Sequence, residues 1–198
     1  MNLKKVSLFV MLTLLAAMSA LAQNDKFGAV DTLYLEPYKI DAQNWGVNVS
    51  LFNDEEITAI SLPITFRAGT AKLVADSTVF KGGRAETFRV KTARPDTVEQ
   101  CLTIGLINDI GVSIPPIPAG KGRIATVFIS TVDDKEIDEP LSIDTTTTPP
   151  GNSLQMVNMV EGVISEVVPH LMIKGAPKAA KKEMKKEETP KEEEKEEG

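Results

Sequence analysis

The chain has 198 residues, of which 42% are hydrophobic, with one cysteine, one histidine and a formal net charge of -6. The acidic balance leaves no basic face for nucleic acid, the lone Cys101 cannot form an internal disulfide, and His170 alone cannot build a histidine zinc cage. Stability must therefore come from an apolar core, and once a leader and a charged tail are set aside about 150 residues remain, enough for one such core.

Residues 1–22 open with Lys4 and Lys5, run through the apolar stretch from Val6 to Ala17 and close on Ala20-Leu21-Ala22. This is the pattern of a secretory signal cleaved between Ala22 and Gln23. The apolar run is shorter than the roughly 20 residues of a membrane span, and Gln23, Asn24, Asp25 and Lys26 follow at once, so no span is expected after cleavage. With no cysteine at the cleavage point, a lipid anchor is not expected either. The predicted destination is secreted, periplasmic or at the cell surface.

From Ala29 to Glu36, Val30, Thr32 and Tyr34 alternate with Asp31, Leu33 and Leu35, which predicts a first strand ended by Pro37. The stretch from Val47 to Phe66 is the strongest strand signal: Val47, Val49 and Leu51 share one face, Asn53 to Glu56 make a polar turn, and Ile60, Leu62, Ile64 and Phe66 share a face beyond it. Each arm has one apolar side that needs a covering layer. Pro63 removes a ladder donor and predicts a strand edge or a bulge. Leu73 to Phe80 and Ala85 to Thr92, separated by Lys81-Gly82-Gly83-Arg84, read as a hairpin. Arg94-Pro95-Asp96 then reads as a turn before a central strand at Val98 to Ile107. Cys101 is expected to be buried in that strand beside Leu102 and Ile104.

The prolines at 115, 116 and 118 forbid regular pairing, so 114–122 is expected as a loop leading into a strand at Arg123 to Val132, whose buried face the pattern leaves open. Leu141 to Asp144, Leu154 to Val160 and Pro169 to Lys174 supply the remaining strands. About nine or ten short strands with no amphipathic helix between them predict an all-β, two-sheet antiparallel sandwich of the jelly-roll kind. From Lys178 onward the chain is almost wholly Lys, Glu, Ala and Pro, which predicts a disordered tail or a fluctuating helix over about 177–188 that Pro190 stops.

Motifs for chemistry are sparse. Gly120, Gly122 and Ala125 have the spacing of a dinucleotide fingerprint, but a proline loop precedes and a strand follows, where the fingerprint needs a strand and then a helix N-terminus. No cofactor is expected. Asp133, Asp134, Glu136, Asp138 and Glu139 crowd one turn, and Asp133, Asp134 and Asp138 stand as candidate calcium ligands. The spacing lacks the glycine and closing glutamate of an EF-hand, which favours a solvated acidic turn. Asp54, Glu55 and Glu56 are adjacent in one turn, whereas glycoside cleavage needs carboxyls that face each other across a sugar. Asn48-Val49-Ser50 matches a glycosylation sequon within a strand.

Taken together, VNVSLFNDEEITAISLPITF, LVADSTVFKGGR, PAGKGRIATVFIS and PPGNSL before VPHLMIKG resemble the cohesin-like domains of secreted bacterial proteins. The resemblance covers most of residues 23–176, leaving 177–198 as the tail. It implies a jelly-roll sandwich related to certain carbohydrate-binding modules, and a non-catalytic role in which one sheet face docks a partner's dockerin module. It transfers no set of binding residues. The alternative function, polysaccharide binding, usually presents several aromatic rings for stacking, and this chain has only Tyr34, Tyr38 and Trp45 for that purpose.

Overall fold

The computed structural model describes residues 28–108, 114–137 and 139–175. The predicted signal, its cleavage point at Ala22 and Gln23, Asp138 and the charged tail lie outside the described residues. Among the described residues there are eleven strands and no helix. They are β1 (Thr32–Lys39), β2 (Asn44–Asn53), β3 (Glu56–Arg67), β4 (Leu73–Val79), β5 (Val90–Asp96), β6 (Cys101–Ile107), β7 (Gly120–Thr131), β8 (Ser142–Thr145), β9 (Gln155–Val160), β10 (Val163–Val167) and β11 (His170–Ile173).

Two sheets form the predicted sandwich. The first runs β11-β1-β2-β7-β4; the second runs β10-β9-β3-β6-β5, with β8 also paired to β3. Every pairing is antiparallel except β1 with β11, which is parallel. Leu33, Leu35, Val47, Val49 and Leu51 of the first sheet and Leu62, Ile64, Phe66, Ile104 and Leu106 of the second are wholly buried between them. The expected apolar faces of 47–51 and 60–66 are therefore correct, but the two arms do not pair as a hairpin: β2 and β3 belong to different sheets. Asp54 and Glu55 form a corner that carries the chain from one layer to the other, so each arm helps to cover the other's apolar side.

Several boundaries differ from expectation for identifiable reasons. The strand β1 continues through Pro37, and Arg94-Pro95 lies within β5 rather than in a turn. Strand β10 is a hairpin arm lying between the strands expected at Leu154–Val160 and Pro169–Lys174, where none was expected. The larger difference is at 80–88, where the predicted hairpin is a string of turns closed by Gly83 N–H to Phe80 O (3.0 Å), Glu86 N–H to Gly83 O (3.0 Å) and Phe88 N–H to Ala85 O (3.1 Å). This segment crosses between sheets, because β4 pairs with β7 and β5 pairs with β6. Its Ala85 and Phe88 are buried as plugs of the core, not as alternating strand residues.

Arg84 fastens that crossing. Its guanidinium donates to the carbonyls of Leu51 (3.1 Å), Gly120 (2.9 Å) and Pro118, while its own N–H donates to Arg123 O at 2.8 Å. Gly122 is where the stem lies: a Cβ there would come within 2.8 Å of Arg84 Cδ. The glycines with dinucleotide spacing thus open β7 and make room for an arginine.

Candidate docking face

The outer faces of the two sheets have opposite character. On the five-stranded sheet, Tyr34 lies between the ammonium groups of Lys121 and Lys174, 4.8 and 4.5 Å from its ring centre. Lys174 also bonds Glu36 at 2.6 Å. Arg123 donates to Thr126 Oγ1 (2.8 Å), which donates to Asn48 Oδ1 (3.0 Å), and Ser130 donates to Asp76 (2.9 Å). The sequon asparagine is thus engaged in this network. With Tyr34 against two lysine ammonium groups and Trp45 packed on the core, Tyr38, lying over Gly46 and 38% exposed, is the ring of the three that this face leaves open.

The six-stranded sheet instead carries apolar side chains outward at one end. Register places Ile164 of β10 opposite Met159 of β9, Val157 of β9 opposite Ala59 of β3, Ala59 opposite Ile107 of β6, and Ile107 opposite Val90 of β5. Val157, Ala59 and Ile107 alternate with the buried Met156, Ile60 and Leu106 and so point away from the core, and the register carries Met159, Ile164 and Val90 onto the same outer side. The outcome is a continuous apolar band across five strands, with Ile164, Ile107 and Val90 exposed by 62, 44 and 41%. Between Ile107, Val157, Met159, Ile164 and Pro116 lies a groove of about 310 Å³.

The other end of this face is polar. A hollow of about 200 Å³ is lined by Arg94, Asp96, Cys101, Thr103, Pro149 and Asn152. Asn152 holds Thr103 Oγ1 at 2.8 Å, and the Cys101 thiol, only 2% exposed, rests 3.8 Å from Thr148 O. Burial, reinforced by the charges of Asp96 and Glu99 against that of Arg67, raises the thiol's pKa above its ordinary value. It remains a protonated filler, as its apolar neighbours predicted.

Of the predicted calcium candidates, Asp133 and Asp134 are among the described residues. Asp133 bonds Lys135 at 2.5 Å, and this contact lowers its pKa below the usual carboxylate value. Asp134 has a left-handed backbone (φ 54°), and its carbonyl accepts from Gln43 Nε2 at 2.6 Å. The described carboxylates that come together are different ones: oxygens of Asp31, Asp54 and Glu55 lie within 4.8 Å of one another. His170 is exposed on β11, and its N–H donates to Asp31 O at 2.8 Å.

Sequence reasoning missed the apolar band because its members are one or two residues on each of five strands. The signal was present in β9, where Met156, Val157, Met159 and Val160 make both faces apolar, unlike a strand with one wet side.

A sandwich with this strand order is a cohesin-like fold, and comparison with solved structures agrees. The sixth cohesin of Acetivibrio cellulolyticus scaffoldin B, solved in complex with a Cel5 dockerin mutant, matches with TM-score 0.53 and 13% identity over 73% of this chain and 95% of that one. A cohesin of the Clostridium thermocellum Coh-OlpA-Doc918 complex matches with TM-score 0.52 and 13% identity over 73 and 95%. That of the Coh-OlpC-Doc435 complex, from the same organism, matches with TM-score 0.51 and 8% identity over 77 and 94%. No family model and no curated protein matches the chain.

Proposed function

We propose that this chain is an exported, non-catalytic module that docks another protein on the outer face of its six-stranded sheet. The observation that carries the proposal is the apolar band from Ile164 through Val157 and Ile107 to Val90, set against the polar face opposite. Exposed large apolar side chains that are contiguous across strands mark interaction surfaces rather than scattered surface residues. The polar hollow with Arg94 and Asp96 supplies the rim that orients a partner. Because solved cohesins of this fold are complexed with dockerins, a dockerin-like module is the partner chemistry of choice. Among the described residues no helix is long and apolar enough to cross a membrane. Export itself rests on residues 1–22, and N-terminal sequencing of exported protein should begin at Gln23; a start at Met1 would refute it.

The docking test compares wild type with Ile107→Asp and Ile164→Asp in a pull-down from the producing cells' secretome, with affinity gels in cellulose, xylan and chitin run alongside. Both side chains lie on the outer face, so thermal stability should change little while captured protein falls at least tenfold. Truncation after Gly175 should leave capture intact, since a mixed-charge tail has no apolar anchor. Retardation in a glycan gel with no captured protein would instead promote polysaccharide binding.

A further inference from the structure

We propose that the corner between β2 and β3 is a calcium site made by Asp31, Asn53, Asp54 and Glu55. One oxygen from each of the three carboxylates lies within 4.8 Å of the other two, and Asp31 is wholly buried. Calcium takes oxygen ligands at about 2.3–2.6 Å, so ligands on opposite sides of one ion stand at about this separation, whereas magnesium demands a tighter octahedron. The set contains oxygen donors alone, with no imidazole or thiolate to favour zinc or copper.

Asn53 gives the independent indication. Thr32 is opposite Phe52 in the β1–β2 ladder, so Asp31 and Asn53 stand opposite each other one step further, on the interior face shared by Leu33 and Leu51. Asn53 is 1% exposed, and its amide nitrogen is fixed on the carbonyls of Glu55 (2.5 Å) and Pro118 (3.1 Å). Its side-chain oxygen is buried with no hydrogen-bond partner. That oxygen belongs to the residue across the ladder from Asp31. A buried acceptor without a donor is costly, and a hard cation satisfies it. Asp54 adds a similar feature: one oxygen accepts the Ala29 N–H, and the other is buried without a hydrogen-bond partner. Gly28 belongs to the same construction, because a Cβ at its left-handed backbone (φ 57°) would fall 1.9 Å from Asp54 Oδ2.

The proposal is independent of docking. It transfers the calcium expectation from the acidic turn, where Asp133 is held by Lys135, to a corner with a buried carboxylate. Bound there, the ion would tie β1 to the point where the chain changes sheets.

The test uses the full chain, stripped with chelator and titrated with calcium chloride by calorimetry and thermal melting. One equivalent should bind, excess calcium should raise Tm by about 5 °C or more, and magnesium should not reproduce the shift. Asp54→Asn and Glu55→Gln, both at partly exposed positions, should each weaken binding at least tenfold, while Asp133→Asn and Asp134→Asn leave it unchanged. Absence of both heat and Tm shift in the wild type would overturn the site. So would calcium binding that survives Asp54→Asn and Glu55→Gln, or that is lost in Asp133→Asn.

Discussion

Pro63 has no amide proton to donate, and β3 places it where none is required. On one side of β3, β9 pairs with residues up to Ser61 and β8 pairs from Ile64 onward, so the neighbour changes across Leu62 and Pro63. There the Pro63 carbonyl accepts from Thr146 N–H, just past β8, at 3.3 Å, and on the other side Pro63 still stands opposite Thr103 of β6. The expected edge is thus a gap between two short strands within the sheet's interior. Its neighbours Ser61 and Leu62 show how finely the two faces are divided. Leu62 is wholly buried, while Ser61 lies on the outer face opposite Gly105. Leu62→Asp should place an unpaired charge between the sheets, cost several kcal/mol and abolish cooperative unfolding, whereas Ser61→Asp should shift the urea midpoint only slightly. Comparable damage from both would mean that the register of β3 is wrong by one residue.

At the level of strands and crossings, the alternating patterns of β1, β2 and β3 were legible because each keeps one face dry over many residues. Less legible was β7, and a bulge explains why. Val49 pairs with Ala125 and Ser50 with Arg123, which leaves Ile124 as the extra residue. Ile124 turns inward beside Ala125, so the period of two slips and the residues from Ile124 to Val127 are all buried. The 80–88 crossing was unreadable for another reason: a Gly-Gly pair between apolar runs signals a hairpin locally, and only the distant carbonyls of Leu51, Gly120 and Pro118 that receive Arg84 dictate otherwise. Arg84→Met keeps the stem over Gly122 but removes those donors. It should cost about 2 kcal/mol in urea unfolding while leaving the β-sheet circular dichroism unchanged. The apolar band escaped for want of long-range register, since no single strand shows that Ile164, Val157, Ile107 and Val90 share a face.

Across the whole molecule, the division between a networked polar face and an apolar one follows from how the layers are stacked. Both sheets devote one side to a common core, which leaves two outer surfaces: the first carries the contacts of Lys174, Arg123, Thr126 and Ser130, while the second has the Asn152–Thr103 bond at one end and the apolar band at the other. The parallel pair at the margin of the first sheet has a mechanical side. Thr32 stands beside His170 and Leu35 beside Ile173, so the chain enters β1 at one end of the molecule and leaves β11 toward the other. A pull applied ahead of β1 and beyond β11 drags these strands past each other along their length. His170 N–H to Asp31 O (2.8 Å), Lys174 N–H to Leu35 O (2.9 Å) and the ladder between them then bear the load together. Handles at Lys39 and Asn44 would instead peel the antiparallel β1–β2 ladder one rung at a time from Lys39 and Trp45. Single-molecule stretching should accordingly record a higher rupture force through the terminal strands than through positions 39 and 44.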